Sequence, residues 1–394
     1  MLSLLFWICT VGILYTYLGY PVLIFLFARL RSAPPAYEEH FPFVTLLITA
    51  YNEEREIKEK ILNSLALNYP PKKLQILIVT DGSTDKTRSI VKSFSNQGIE
   101  LIHKDGREGK MAAINRAMPL VRGDIVIFSD ANNHYLPDTI FHLVAPFRDP
   151  RVGGTSGEKT ISKGDGSLGE SEGAYWKYES FIKKQESRLG SCTGAAGEIL
   201  AIRKELYIPP PNQIINDDFY IAMQIIRHGF RLVYTPLAKS IERVSPTAQD
   251  EIIRRTRINA GRYQAIALAS QFLPLDQPLL MWQIISHKFL RPLVPFLMIG
   301  ATVFNLIAVI FPPQQNNPFL LGMPFGQVLL GLQILFYTLA LLGERFPNRG
   351  AQSRLMNLLY LPAFLVNGNL AAFKGFIRFL LGGQSHLWER IQRR

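Results

Sequence analysis

The sequence predicts an α/β domain built on a mostly parallel sheet and set between membrane-spanning helices. Three observations point there. Short apolar runs alternate with helical patterns between residues 43 and 129, as in βαβ units. The loops after those runs collect the polar and acidic residues, which is where open α/β sheets hold ligands. Long uncharged stretches flank the domain on both sides.

From Met1 to Ala28 there is no charged side chain, and Leu2–Leu26 can cross a hydrocarbon core of roughly 30 Å as a helix of about 20 residues. It has neither the basic start nor the small-residue end of a cleavable signal, so residues 1–31 read as a retained anchor. A linker with Pro34 and Pro35 follows. Phe43–Ala50, Leu74–Thr80, Ile99–His103 and Asp124–Ser129 read as strands, and Glu54–Leu67, Thr84–Phe94 and Lys110–Met118 as the helices between them. Further on, Glu170–Arg188 mixes aromatic and basic residues, as a helix over a cleft or along a headgroup layer would. Asp218–His228 reads as a helix, Arg231–Tyr234 as a strand, and Gln249–Ala269 as a basic amphipathic helix leading to the membrane. The α/β domain, with interfacial helices, is expected over 32–287 and a transmembrane or interfacial region over 288–394.

No charge falls between Arg291 and Glu344, and the polar break Pro312–Pro318 divides that run into two spans. Leu355–Leu381 carries Pro362, Asn367, Asn369, Lys374 and Arg378, so crossing, re-entry and an interfacial course all stay open. Arg29 and Arg31 follow the first span and Arg345, Arg349 and Arg354 the third, which places 32–287 in the cytoplasm by the positive-inside rule. The net charge of +12 raises a nucleic-acid partner, but the basic residues cluster beside the spans and at Arg390, Arg393 and Arg394, so anionic membrane lipids are the expected partner and nucleic acid is not. With Cys9 and Cys192 alone, there is no disulfide or zinc framework.

The chemistry-bearing residues sit at predicted strand ends. The first strand runs into Ala50, Tyr51, Asn52 and Glu53, and the second into Asp81, Gly82, Ser83 and Thr84. A carboxylate such as Asp81 can accept from a base N–H while Gly82 allows a tight turn, although Asp-Gly-Ser before a Thr84 cap is also an ordinary local structure. The fourth strand ends in Asp130, Ala131 and Asn132, oxygen ligands suited to a hard divalent cation and its diphosphate, with His134 near enough in sequence to add a ligand. Gly106–Met111 lacks the Gly and the Ser or Thr of a Walker loop, and no G-x-G-x-x-G follows a strand, which removes the best support for a nicotinamide enzyme. Lys110, at a helix start, can serve as a point charge for phosphate or ribose. Asp217 and Asp218 open a helix, where acidic caps are expected in any case. Arg254, Arg255 and Arg257 can clamp a leaving diphosphate or bind lipid phosphates.

Together, Thr49–Glu54, Asp81–Asp85, Gly109–Asn115, Asp130–Asn132, Asp217–Asp218 and Arg254–Arg257 resemble, in order and spacing, the motifs of family 2 glycosyltransferases, and in particular the membrane-embedded branch of cellulose, chitin and hyaluronan synthase-like proteins. The resemblance implies the GT-A fold, a Rossmann-like nucleotide-diphospho-sugar transferase domain. It implies that Ala50, Tyr51, Glu53 and Asp81 line the nucleoside pocket near Lys110, that Asp130 and Asn132 hold Mg²⁺ or Mn²⁺ on the diphosphate, that Asp218 is the catalytic base, and that Arg255 and Arg257 contact the diphosphate. Asn132 replaces an Asp of the family pattern, Arg254 a Gln, and Ile258 the Trp that would support a growing glycan. The expected enzyme is an inverting, non-processive transferase at a bacterial inner membrane. It would move a sugar from a nucleotide sugar, a UDP-sugar first of all, to a lipid-linked or saccharide acceptor. A processive polysaccharide synthase and a non-catalytic nucleotide-sugar-binding scaffold of an export complex are the alternatives.

Overall fold

Apolar residues dominate both ends of the chain, and in the computed structural model they form long helices around a mixed α/β domain. The structure describes residues 1–31, 39–162, 166–243, 247–313, 317–345, 354–383 and 387. Pro34, Pro35, Arg349, the terminal arginines and 314–316 of the polar break lie outside them. Helices α1 (Leu2–Leu14) and α2 (Tyr20–Arg29) are joined by a π-turn at Tyr15–Gly19. In chain order there follow β1 (Val44–Ala50), α3 (Ile57–Leu65), β2 (Leu74–Asp81), α4 (Thr87–Lys92), β3 (Ile99–Lys104), α5 (Lys110–Ala117), β4 (Ile125–Asp130), β5 (Asn133–Tyr135) and α6 (Thr139–Val144). Next come β6 (Val152–Ile161), α7 (Gly166–Leu189), β7 (Leu200–Arg203), α8 (Asp217–Arg227), β8 (Arg231–Glu242) and α9 (Ala248–Ala267). The chain continues through α10 (Ala269–Phe272), α11 (Pro278–Ile284), α12 (Leu290–Ile310), α13 (Phe325–Arg345) and α14 (Arg354–Leu380).

The predicted strands and helices of the first half are present to within a few residues at their ends. They form one edge of an eight-stranded sheet in the order β3-β2-β1-β4-β7-β6-β8-β5. β3, β2, β1 and β4 run parallel, while β7 is antiparallel to both β4 and β6. Every residue of β1 is buried, as expected of a central parallel strand covered on both faces. Val44, Leu46, Ile48 and Ile78 pack on one side of the sheet, and Leu47, Leu77, Val79 and Phe128 on the other with α5 and α8. The register pairs Ala50 with Thr80 and Thr49 with Asp130, so Ala50, Asp81 and Asp130 reach the same edge. Gly82, at φ +68°, turns the chain there, and a Cβ on it would lie 2.8 Å from the Arg107 backbone nitrogen.

Among the described residues, three helices are long and apolar enough to cross a membrane: Leu2–Arg29, Pro278–Ile310 and Phe325–Gly343. The first two carry facing π-turns, Tyr15–Gly19 and Ile285–Phe289, cross-bonded by Tyr15 to Ser286 at 2.7 Å and by Trp282 Nε1 to the Tyr15 hydroxyl at 2.8 Å. The open segment after residue 354 is helix α14, which crosses α9 so closely that a Cβ on Gly375 would sit 2.9 Å from both the Ala260 nitrogen and the Thr256 carbonyl.

Candidate active site

The parallel strands deliver their carboxyl ends to two adjoining recesses that share Lys110. The narrower recess is lined by Thr49, Ala50, Tyr51, Asp81, Arg107 and Gly109. Asp81 is buried, and its Oδ2 accepts from the backbone N–H groups of Glu108 and Gly109 at 2.8 and 2.7 Å while Oδ1 accepts from Arg116 at 2.9 Å. The carboxylate thus fixes the loop that starts α5. Arg107 stacks over Tyr51, 4.0 Å from the ring centre, and closes the recess. Glu53 lines neither recess; its N–H donates to Thr87 Oγ1 at 2.7 Å.

The larger recess is a cavity of about 1080 Å³ between the sheet edge and the long helices. On the sheet side it is lined by Asp130, Asp217, Asp218, Arg254, Arg255 and Arg257, and on the other by Tyr17, Leu18, Leu342, Phe364 and Leu365. Lys110 Nζ lies 2.8 Å from Asp130 Oδ1 and 3.5 Å from Asp217 Oδ2. Burial works against its charge, but those two carboxylates outweigh it and raise its pKa. Conversely, burial opposes ionisation of Asp130, and the Lys110 ammonium overcomes it and holds the carboxyl low. Asp218 has no ion pair among the described residues. Its Oδ1 accepts from the Phe219 N–H at 2.8 Å, and desolvation, reinforced by the charge of Asp217, pushes its pKa up to about 6. A carboxylate so placed has the basicity of a general base near neutral pH.

The three arginines of α9 differ in a way their spacing cannot reveal. Arg254 and Arg255 are bound to Glu251 at 2.7 and 2.9 Å, and both also face Glu172 of α7. Arg257 has no ion pair among the described residues; its one hydrogen bond is a 3.4 Å contact with the Ile215 carbonyl. It is therefore the guanidinium of the three left for an incoming anion. Sequence reasoning also missed Lys159, which lies 3.0 Å from Glu198 Oε1 and bonds to Glu242, because one carboxylate comes from the turn before β7 and the other from the end of β8, with no motif around either.

The expected metal ligands do not gather. Asn132 directs its amide nitrogen to Glu242 at 3.3 Å, and the His134 ring faces Glu59 at 4.0 Å. Strand alternation is the cause: in β5, Asn133 and Tyr135 point inward and His134 outward. Among the described residues no group of three or more His, Cys, Asp or Glu side chains could hold a metal ion by itself. Of the three expected ligands, only Asp130 faces the cavity, which fits a Mg²⁺ or Mn²⁺ ion bound by one carboxylate and a substrate diphosphate.

A family profile described as Glycosyl transferase family 2 matches residues 45–208. The chain is 27% identical over 195 residues, 48% of its own length and 42% of the relative's, to a beta-monoglucosyldiacylglycerol synthase of Nostoc sp.. It is 25% identical over 215 residues, 53% of its length and 52% of the relative's, to a poly-beta-1,6-N-acetyl-D-glucosamine synthase of Staphylococcus aureus. The chain spans about half the length of these curated relatives. Its fold matches a mannosyltransferase of Pyrobaculum calidifontis, solved with GDP-Man and Mn²⁺, with a TM-score of 0.72 at 21% identity over 97% of this chain and 99% of that one.

Proposed function

Because the chain is a glycosyltransferase of family 2 with a GT-A-type fold, we propose that it transfers a sugar from a nucleoside-diphosphate donor, a UDP-sugar in the first instance, to a lipid-linked or saccharide acceptor at a membrane. The observation that carries this reading is the single cavity that joins Asp218 and Lys110 to side chains of the candidate spans. An acceptor held in the bilayer can reach the carboxylates without leaving it. The basic residues after the first span, Arg29 and Arg31, support a cytoplasmic catalytic domain and a multi-pass topology in a bacterial inner membrane.

In this mechanism Arg107 swings off the Tyr51 ring to admit the donor's nucleoside, and the diphosphate lies between Lys110 and Arg257. Asp218 takes the proton of the acceptor hydroxyl as that oxygen attacks the anomeric carbon. The bond from that carbon to the β-phosphate oxygen breaks in the same displacement, its electron pair leaves with the nucleoside diphosphate, and configuration inverts. A divalent cation held by Asp130 and the diphosphate would neutralise charge on the leaving group. Arg257 and Lys110 add fixed positive charge at the same place. Ile258, at a position where a flat aromatic surface would be needed to slide a polymer, supports transfer of one or a few sugars.

Incubating the purified chain with UDP- and GDP-sugars, Mn²⁺ and a membrane lipid extract is expected to release nucleoside diphosphate. Asp218→Asn is expected to cut that release by about 10²–10⁴-fold. Undiminished turnover in this variant would remove the base, and a long product ladder on a gel would favour a processive synthase.

A further inference from the structure

The cavity contains a second cationic chamber, on its membrane side, that donor chemistry does not use. Lys183 on α7 is 4% exposed and lines the cavity. Among the described residues its ammonium has neither a carboxylate nor a hydrogen-bond acceptor; its neighbours are the ring faces of Trp176 and Tyr234, 5.8 and 5.6 Å away. Arg291 on α12 is 8% exposed and gives Nη1 to Glu179, while its guanidinium faces the Tyr178 ring at 5.2 Å and its Nε and Nη2 are buried with no hydrogen-bond partner among the described residues. Lys288, one helical turn earlier, lies 3.6 Å from the same Glu179. Glu186, the next carboxylate on this face of α7, is turned away to His287 at 2.8 Å and Thr193. Lys288 and Arg291 therefore share Glu179, and Lys183 beside them has no carboxylate within ion-pair distance among the described residues. Buried ammonium and guanidinium groups in that imbalance are unfavourable until an anion joins them.

Resting on the reading of a membrane-held acceptor, we propose that Lys183, Lys288 and Arg291 form a binding site for the phosphoryl group of that lipid acceptor. Convergent ammonium and guanidinium donors match a phosphoryl group's several oxygens. The apolar wall of Leu18, Leu342 and Phe364 beside them takes the acyl or prenyl chain. The chamber is near the base: a Cβ on Gly194 would touch Lys288 Nζ at 2.7 Å and one on Gly197 would lie 3.6 Å from Asp218 Oδ2. These glycines are three residues apart, at most about 10 Å of backbone. A lipid whose phosphoryl group carries a hydroxyl-bearing headgroup can thus place that group in the chamber and the hydroxyl at Asp218, while donor phosphates stay with Lys110 and Arg257.

The test uses the full chain in dodecylmaltoside micelles, offered in separate arms a polyprenyl diphosphate sugar, phosphatidylglycerol, diacylglycerol or inorganic phosphate, with retained ligand read by mass spectrometry. A phosphoryl lipid should be retained at least about tenfold over diacylglycerol, the worth of a charge-assisted hydrogen bond. Lys183→Gln should lose that preference and Lys183→Arg keep it. The arm retained, polyprenyl diphosphate sugar or phosphatidylglycerol, names the source of the phosphoryl group. Equal retention of diacylglycerol, full retention by Lys183→Gln, or inorganic phosphate bound with no gain from a lipid tail would each overturn the proposal. If Lys183→Gln does not fold, the wild-type comparison of phosphoryl lipid with diacylglycerol decides alone. Binding of UDP- and GDP-sugars to the wild type is read separately, so failure of the transferase reading is told apart from failure of the chamber.

Discussion

At the scale of single residues, Asp218 differs from Asp130 and Asp217 in having no ion pair among the described residues. Its pKa of about 6 comes from desolvation and from Asp217, so the base is ionised above that pH and neutral below it. The rate kcat/KM is expected to climb as pH rises through about 6 and then level. Removing the neighbouring negative charge with Asp217→Asn should move that limb to lower pH, and a profile that does not move would separate the limb from Asp218. The arginines make a second contrast. Arg257→Ala should raise the donor KM or lower kcat by about tenfold or more, as loss of a hydrogen bond to a charged group does. Arg255→Ala leaves Glu172 and Glu251 short of a buried partner, so it should lower the unfolding temperature instead. Equal kinetic damage from both would contradict the division drawn from their ion pairs.

At the scale of elements, the first four strands could be read from sequence because each is a short apolar run closed by polar residues, and central parallel strands have that pattern. β6 and β7 could not. Val152–Ile161 contains Gly153, Gly154 and Gly157 and alternates weakly, and its place in the sheet depends on pairing with β7 and β8, far along the chain. The same limit applied to the site. Asp130 and Asp218 were legible as acidic residues at element ends, whereas Lys159, Lys183 and Arg291 acquire meaning only when α7, β8 and α12 pack together. His134 was misplaced for a local reason, since no motif marks a three-residue strand that turns its ring outward. Packing of α14 on α9 is testable at one position. Gly375→Val would force side-chain atoms against the Ala260 nitrogen and Thr256 carbonyl, an overpacking cost of typically about 1–3 kcal/mol. Thermal unfolding should show the loss, and product formation should fall with it because α14 lines the cavity through Phe364 and Leu365. An unchanged midpoint would mean that the helices can part without cost.

At the scale of the whole molecule, the catalytic domain and the candidate spans share one cavity, so topology and chemistry are linked. If the basic flank of the first span sets orientation, Gln97→Cys, exposed on the catalytic domain, should react with an impermeant maleimide in inside-out vesicles and not in intact cells. The native cysteines, Cys9 and Cys192, are buried and should contribute little background. Labelling from outside intact cells would reverse the orientation. The cavity also draws its walls from both ends of the described chain, Tyr17 and Leu18 near the start and Phe364 to Ala372 near the end. During synthesis, the carboxylates of the sheet emerge long before the helix that roofs them. The chamber therefore lacks one wall until α14 lies down across α9.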